Sequence, residues 1–547
     1  MYRFRTVGHA GGILTPETRD RRQFLHDAAR AVAAATSAAL FGSLAGCSGS
    51  GSGAAKPTTS VPPTSSTTEL LDSSAWSSLS ASLQGTLVLP AASSYANDKL
   101  VYNLRFADID PAAIAFCASA ADVRRCVTFA RDHGIAATPR SGGHSYGGYS
   151  TGPGLVIDVS PMNIVTADRA SMTAVIGAGT QLVDVYQELA NAGVLLPAGS
   201  CPTVGIAGLT LGGGIGVVGR KYGLTCDNLT ALNIVTADGR MLTASADENA
   251  DLYWASRGGG GGNFGIATSF TFGLHPLPEL ALFTINWPAE AAADVLGQWQ
   301  QWMADAPDEL WSNCQLQAAG SDGLNVHSNG VFFGSPDALT AALQPLLRAG
   351  TPSSQFVGPE TYLHAMLVEA GCEDLSVSQC HLSGESPGGA LPRSAFAATS
   401  AYLTTALSSA GIDAAIQSIE QLHQTDPEVG GGLVFDSYGG AINAVAADAT
   451  AFVHRSALCG LQSSVSWGAG AASSTVDGAQ AWLAGSAKAL APFVSKTAYQ
   501  DYIDPTLVDW ADAYYGANLP RLVEVKRRHD PDDVFHFAQS IPTTLPP

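Results

Sequence analysis

The sequence predicts an α+β protein built in two parts, and three observations lead there. From about Leu71 to Leu274, short apolar runs alternate with amphipathic helical stretches across glycine-rich turns. From about Pro276 to Thr497 the pattern shifts to that of a sheet backed by helices. And 547 residues are too many for one small core but enough for two.

In the first part, "AIAFCAS" reads as a strand and "AADVRRCVTFARDHG" as an amphipathic helix stopped by Gly134. "IAATPR" and "GLVIDVS" read as strands flanking a glycine loop. "MTAVIGAGTQLVDVYQELANAG" gives strand, turn and helix, and "LTALNIVTADGRMLTAS" two strands turning at Asp238-Gly239. In the second part, "PAEAAADVLGQWQQWMADAPDEL" and "SAFAATSAYLTTALSSAG" read as helices, whereas "SNGVFFGS", "GGLVFDSYGG" and "ALCGLQSSVSW" read as strands. The final segment starts a helix near Leu519.

The N-terminus reads as an address rather than as structure. Paired arginines, Arg21 and Arg22, precede Phe24, Leu25 and a mild alanine-rich run from Ala31 to Ala45, too short to span a bilayer comfortably. That is the pattern of a twin-arginine export signal, and "LAGC" ends it on Cys47, the expected site of a lipid anchor. Residues 1–47 are thus a signal, and the Ser/Thr/Pro/Gly stretch 48–70 is a linker that cannot bury enough to fold. The expected location is the bacterial cell envelope or outside the cell.

Apolar residues make up 46% of the chain and charged residues 14%, a globular balance. A net charge of −20 repels phosphate backbones and argues against a nucleic-acid partner. Nine cysteines include no C-x-x-C pair, and no H-E-x-x-H occurs, so no metal framework is expected. Outside the cytoplasm Cys372 and Cys380 are close enough in sequence to pair.

Three glycine loops carry the functional signal: "PRSGGHSYGG", "GSCPTVGIAGLTLGGGIG" and "RGGGGGNFGIATS". The first contains a G-x-S-x-G string around Ser145, but a hydrolase elbow needs a helix directly after its serine, and "YGGYSTGPG" forbids one. "GIGVVG" matches G-x-G-x-x-G yet follows no buried strand, so a Rossmann fingerprint is rejected. Several glycine loops together bring backbone N–H groups close to a long anionic ligand, as a flavin dinucleotide is. Two of them carry nucleophilic side chains, His144 and Cys201, suited to a covalent attachment.

These motifs, with "YGLTCDNL", "VTADGRMLTASADENADLYWASRGGGGGNFGIATSFTF" and "YYGANLPRLVEVKRRHDPDDVFHFAQSIP", resemble the berberine bridge enzyme-like family of FAD-linked oxidases, which have the vanillyl-alcohol oxidase (PCMH-type) fold. The resemblance implies a two-part FAD-binding domain over residues 71–277 and a substrate domain over 278–497 with an antiparallel sheet backed by helices. A C-terminal segment, 498–547, would return to the FAD domain. It implies FAD held bicovalently, His144 on the flavin 8α-methyl and Cys201 on C6. Arg140, Ser141, Gly142, Gly143, Ser145, Val204, Gly205, Gly208, Gly213, Gly214, Gly265, Ile266 and Asn518 complete the expected cofactor site.

For chemistry, "AYQDYIDP" resembles the family's Y-x-N-Y segment, with Tyr502 as the catalytic tyrosine and Asp501 where asparagine is usual. A tyrosine working as a base near neutrality needs its pKa lowered from about 10. Tyr438 is a second candidate and Asp436 a third. The resemblance also implies, from the small Val204 at the position three after the cysteine where family members differ, an oxidase that passes electrons to O2 over a dehydrogenase with another acceptor. The expected substrate is an alcohol, sugar or secondary-metabolite hydroxyl. A serine hydrolase and a non-catalytic envelope lipoprotein are the rival readings from other classes.

Overall fold

The computed structural model describes residues 72–319, 323–425 and 429–545. The expected export signal, the whole of the expected linker and Cys47 lie outside the described residues. Among the described residues, no helix is long and apolar enough to cross a membrane.

The first part holds two sheets. One has the order β1-β2-β4-β3, formed by β1 (Thr86–Val88), β2 (Ala113–Phe116), β3 (Ala137–Arg140) and β4 (Leu155–Asp158). Strands β2, β4 and β3 are parallel, while the edge strand β1 runs antiparallel to β2. The crossover from β2 to β3 is the predicted helix, Ala120–Asp132. Ser119 caps it by accepting from the Asp122 N–H, and Gly134 follows it in the left-handed region (φ +64°). Asp122, wholly buried, accepts backbone N–H groups from Gln84, Gly85 and Ala118 and pins the strand β1 to this helix.

The second sheet is antiparallel, with β5 (Val165–Asp168), β6 (Thr173–Gly177), β8 (Leu229–Val235), β9 (Met241–Ser245) and β10 (Ile266–Gly273) in the order β5-β6-β10-β8-β9. The short β7 (Val194–Leu195) pairs with β11 (His275–Pro276). The two sheets enclose a common core that includes Ile157, Ile176, Leu232 and Phe270.

The second part is a seven-stranded antiparallel sheet. Its strands are β12 (Leu280–Trp287), β13 (Leu310–Ala319), β14 (Gly323–Phe332), β15 (Ser354–Glu360), β16 (Ala395–Leu403), β17 (Gly430–Ser437) and β18 (Cys459–Trp467), in the order β15-β12-β14-β13-β17-β18-β16. Helices Ala292–Asp305, Ser409–Thr425 and Ser473–Leu490 cover one face. Period-two alternation sends Cys314 and Leu316, Leu433 and Phe435, and Cys459, Leu461 and Val465 into that helical layer beside Trp299, Ile419 and Trp482. The opposite face is turned to the first part.

One expectation fails. "SAFAATSAYL" is not helical: Ala395–Leu403 is the edge strand β16, paired with β18 over its whole length, and only from Ser409 does a helix begin. Alanine and serine in this run suit a helix locally. Strand pairing and burial of Ala395 and Ala397 under the helical layer override that preference.

The chain end packs back on the first part. Lys526, fully buried, donates to the carbonyls of Asn263 and Phe535 and to Asp530, and Asn263 accepts the Ile541 N–H. A buried ion pair, Arg455 with Asp227, links the two parts elsewhere.

Candidate active site

A cavity of about 350 Å³ lies between the glycine loops and the uncovered face of the large sheet. The strand β3 delivers Arg140 to its wall, where Arg140 is ion-paired with Asp158 and donates to the Asp98 carbonyl. Its Nη1 is buried without a partner among the described residues. Ser141 donates to the Ala178 carbonyl and fixes the start of the loop. Gly142 and Gly205 then meet backbone to backbone: a Cβ on Gly142 would lie 2.3 Å from the Gly205 nitrogen, and one on Gly205 2.4 Å from the Gly142 nitrogen. Two of the three glycine loops are thereby clamped side by side.

That clamp brings His144 and Cys201 to one cavity. His144 stacks on Tyr102, ring centroids 4.0 Å apart, and its Nε2 lies 2.8 Å from the hydroxyl of Thr203, two residues after Cys201. Burial, with a smaller contribution from Arg393, lowers the His144 imidazole to about 3 and keeps it neutral. Burial, then the Asp436 charge, pushes the Cys201 thiol up to about 11.

Ser145, Gly143, Val204, Gly208, Gly265 and Ile266 also line the cavity, as do Tyr502, Asp436 and Asp501. Four expected residues do not. Gly213 and Gly214 turn away: a Cβ on Gly213 would strike Phe452 and one on Gly214 would strike Thr225, so these glycines serve tight packing behind the loop. Asn518 spends its amide on the carbonyls of Ala447, Thr450 and Ala451 and ties the chain end to the second part. Tyr438 is wholly buried in a separate aromatic cluster, its hydroxyl 3.3 Å from that of Tyr402. It reaches only a small adjoining void shared with Asp436 and Tyr502. No helix follows Ser145, whose hydroxyl accepts the Tyr149 N–H, so nothing here builds a hydrolase elbow.

The electrostatics run against Tyr502 as a ready base. Burial first, then the Asp436 charge, raises its phenol well above the ordinary value. Asp501 does not touch it by hydrogen bond; Asp501 accepts from Tyr499 (2.7 Å), whose oxygen in turn accepts the Gly214 N–H. Burial raises the Asp501 carboxyl to about 8 and the Asp436 carboxyl to about 7. Tyr502 is held by stacking on Tyr146 (5.3 Å, 12°), which accepts from Gln462.

Sequence reasoning missed the sheet wall. Trp311, Asn313, Gln315, Glu369, Gln462 and Ser464 all line the cavity. The signal was available on β13, where "SNCQLQ" alternates polar Asn313, Gln315 and Gln317 with apolar Cys314 and Leu316. Glu369, on the helix Tyr362–Glu369, left no such trace.

Comparison with known proteins agrees with this geometry. The FAD binding domain family matches residues 111–245, and the berberine and berberine like family matches residues 498–542. The FAD-linked oxidoreductase YgaK of Bacillus subtilis (strain 168) is 34% identical over 79% of this chain and 91% of its own length. The chain belongs to the berberine bridge enzyme-like family of FAD-linked oxidoreductases. Among solved structures, wild-type BBE-like 1 of Physcomitrella patens has TM-score 0.78 at 31% identity, covering 86% of this chain and 99% of that one. A glucooligosaccharide oxidase of Acremonium strictum, studied for its 6-S-cysteinyl, 8α-N1-histidyl FAD, has TM-score 0.77 at 27% identity, covering 86% of this chain and all of that one.

The residues present fit a flavin dinucleotide. An atom added to Gly208 would meet nothing within 4 Å, and one added to Gly261 would come no closer than 3.9 Å, to the Gly208 Cα, so the loops present backbone with room for a ligand beside Gly208. The unpartnered Arg140 Nη1 is a charged donor on the same wall, suited to a pyrophosphate.

Proposed function

We propose that this FAD-linked oxidoreductase holds its flavin through both His144 and Cys201 and oxidises a hydroxyl-bearing carbon of a small molecule, with O2 as acceptor and hydrogen peroxide as product. The carrying observation is that His144 and Cys201, from separate loops, line one cavity and are linked through the His144–Thr203 hydrogen bond. When Nε2 donates to Thr203, the neutral imidazole keeps its Nδ1 lone pair for a bond to the cofactor. The linkages named for the glucooligosaccharide oxidase support the same pairing.

The bound flavin supplies a hydride acceptor and passes electrons on to O2. The chain supplies the proton path and the orientation. Asp436, which lines the cavity with Tyr502, takes the hydroxyl proton, and burial raises its carboxyl to about 7, in the range a base needs. Its displacement from the ordinary 3.8 corresponds to roughly 4 kcal/mol against the charged form, which makes the carboxylate an avid proton acceptor. Tyr502 stays protonated and donates a hydrogen bond to the substrate oxygen, with Tyr146 and Gln462 holding its ring. Val204, in the cavity lining, is the small side chain this reading assigns to O2 access.

Export through Arg21 and Arg22 and anchoring at Cys47 belong to the same reading. A Cys47→Ser variant should move from the membrane fraction to the soluble one. For the chemistry, substrate added without air should bleach the flavin band, and air should restore it with one hydrogen peroxide per turnover. A flavin that stays reduced for minutes in air would remove O2 as the acceptor.

A further inference from the structure

Residues 371–394 form a strap of turns between the helix Tyr362–Glu369 and β16. The Cys372–Cys380 disulfide closes its first half, and both cysteines pack on Val183 of the first part. The strap's polar contacts fall on the same short stretch. His381 Nε2 lies 3.1 Å from Asp184 Oδ2, and its Nδ1 lies 2.9 Å from the Val377 carbonyl oxygen. A carboxylate and a carbonyl only accept, so both ring nitrogens donate and the imidazole is charged. The Asp184 hydrogen bond holds that imidazole above its ordinary pKa. One turn away, Gln181 donates to Glu385, whose other oxygen accepts from Arg393.

Gln181 to Asp184 begin the helix Leu182–Asn191, and they also carry the Cys201 loop. The Leu182 N–H donates to the Val204 carbonyl, and the Val183 N–H donates to the Pro202 carbonyl. Gln181 forms an antiparallel bridge with Gly205, and the Ile206 N–H donates to the Thr180 carbonyl. Strap, helix start and Cys201 loop are therefore joined in series, and Leu182, Cys201 and Val204 all reach the cavity. The His144 loop is held from elsewhere. Ser141 is fixed to the Ala178 carbonyl, and the Gly143 carbonyl accepts the Tyr102 N–H.

We propose that residues 371–394 are a latch, with the His381–Asp184 pair as its catch, that positions Cys201 for its bond to the flavin and leaves the His144 bond unaffected. This rests on the reading that both residues bind the flavin. In the step concerned, the Cys201 sulfur joins flavin C6. The thiol and C6 each release a proton, and two electrons pass into the flavin, from which O2 takes them with two protons as hydrogen peroxide. A reacting group displaced by about 1 Å can lose about a hundredfold in rate, so a loosened loop shows in this step first.

Acid precipitation in two single-bond backgrounds tests the latch. In His144→Ala only Cys201 can hold the flavin, and in Cys201→Ala only His144 can. His381→Leu added to the first should send more than half of the flavin from the pellet to the supernatant. Added to the second, it should leave the pellet as yellow as its parent's. Asp184→Leu should repeat this pattern, and Asp184→Asn, which keeps an acceptor for His381, should retain the pellet flavin. A flavin-to-protein ratio equal to the parent's before acid establishes that each variant is folded and loaded, and the two leucine variants back each other up. Unchanged pellets in both leucine variants, or equal release from both backgrounds, would overturn the latch. Loss of flavin before acid in both leucine variants would overturn it too, since the strap would then serve the whole fold. Release by the His144→Ala parent itself is a different failure: it would overturn the two-bond reading, and the latch with it.

Discussion

The two walls of the cavity are built on opposite principles. The loop wall is made by backbone: Gly142 and Gly205 touch where no side chain fits, and Gly208 presents its backbone with nothing within 4 Å of an added Cβ. The sheet wall is made by side chains: one face of β13, β17 and β18 carries Asn313, Gln315, Asp436, Gln462 and Ser464, while the reverse face carries the core. The Gly142–Gly205 clamp of the loop wall tolerates no side chain and suits one fixed cofactor. The sheet wall can change side chain by side chain without moving a strand, which is how one scaffold acquires a different substrate.

The sharpest break in that comparison is chemical. Asp436→Asn should lower kcat by about a thousandfold, in the range of a lost general base, while FAD remains bound. Stopped-flow flavin reduction checks it, and a fall of less than tenfold would move the base elsewhere. On the other wall, Gly205→Ala should abolish FAD incorporation, because the new Cβ lies 2.1 Å from the Ser141 hydroxyl and 2.4 Å from the Gly142 nitrogen. The flavin-to-protein absorbance ratio reads this directly.

The same carboxyl sets the pH profile. A base must be ionised, and burial raises Asp436 to about 7 in the free protein, so kcat/KM should be full above that value and fall tenfold per pH unit below it. Asp436→Asn should lose that limb.

These contrasts explain what was legible in the sequence. Glycine loops are readable because glycine is required there; His144 and Cys201 stand inside such loops, and family resemblance gave them roles. The sheet wall was only half readable. Alternation on "SNCQLQ" marks a polar face, but no local feature says that Asn329 and Glu369, far apart in sequence, meet at 2.5 Å. Gly213, Gly214 and Asn518 look like ligand contacts in the string, yet Phe452, Thr225 and the carbonyls of 447, 450 and 451 claim them. Tyr502 was found, but the direction of its pKa depends on burial beside Asp436, which only the fold supplies. β16 was misread because its alanines favour a helix until β18 pairs with it.

Two smaller effects sharpen the picture of the sheet half. Cys372 and Cys380 are disulfide-bonded just after the helix that bears Glu369. Replacing both with serine should cost about 2–3 kcal/mol of stability, by chemical denaturation, for a loop this short. The last concerns Asp501, held at about 8 against an ordinary 3.8. A carboxyl raised in this way favours the folded state only while it stays protonated, so its destabilisation grows as pH rises from about 4 to about 8. Asp501→Asn should therefore raise the melting temperature more at pH 8.5 than at pH 5, by a few degrees.

The central claim, that two loops hold one flavin by two bonds, is met most directly by acid precipitation of four proteins. Wild type, His144→Ala and Cys201→Ala should each give a yellow pellet, and only the double variant should release its flavin to the supernatant. A yellow supernatant from the wild type, or complete release from either single variant, would contradict it.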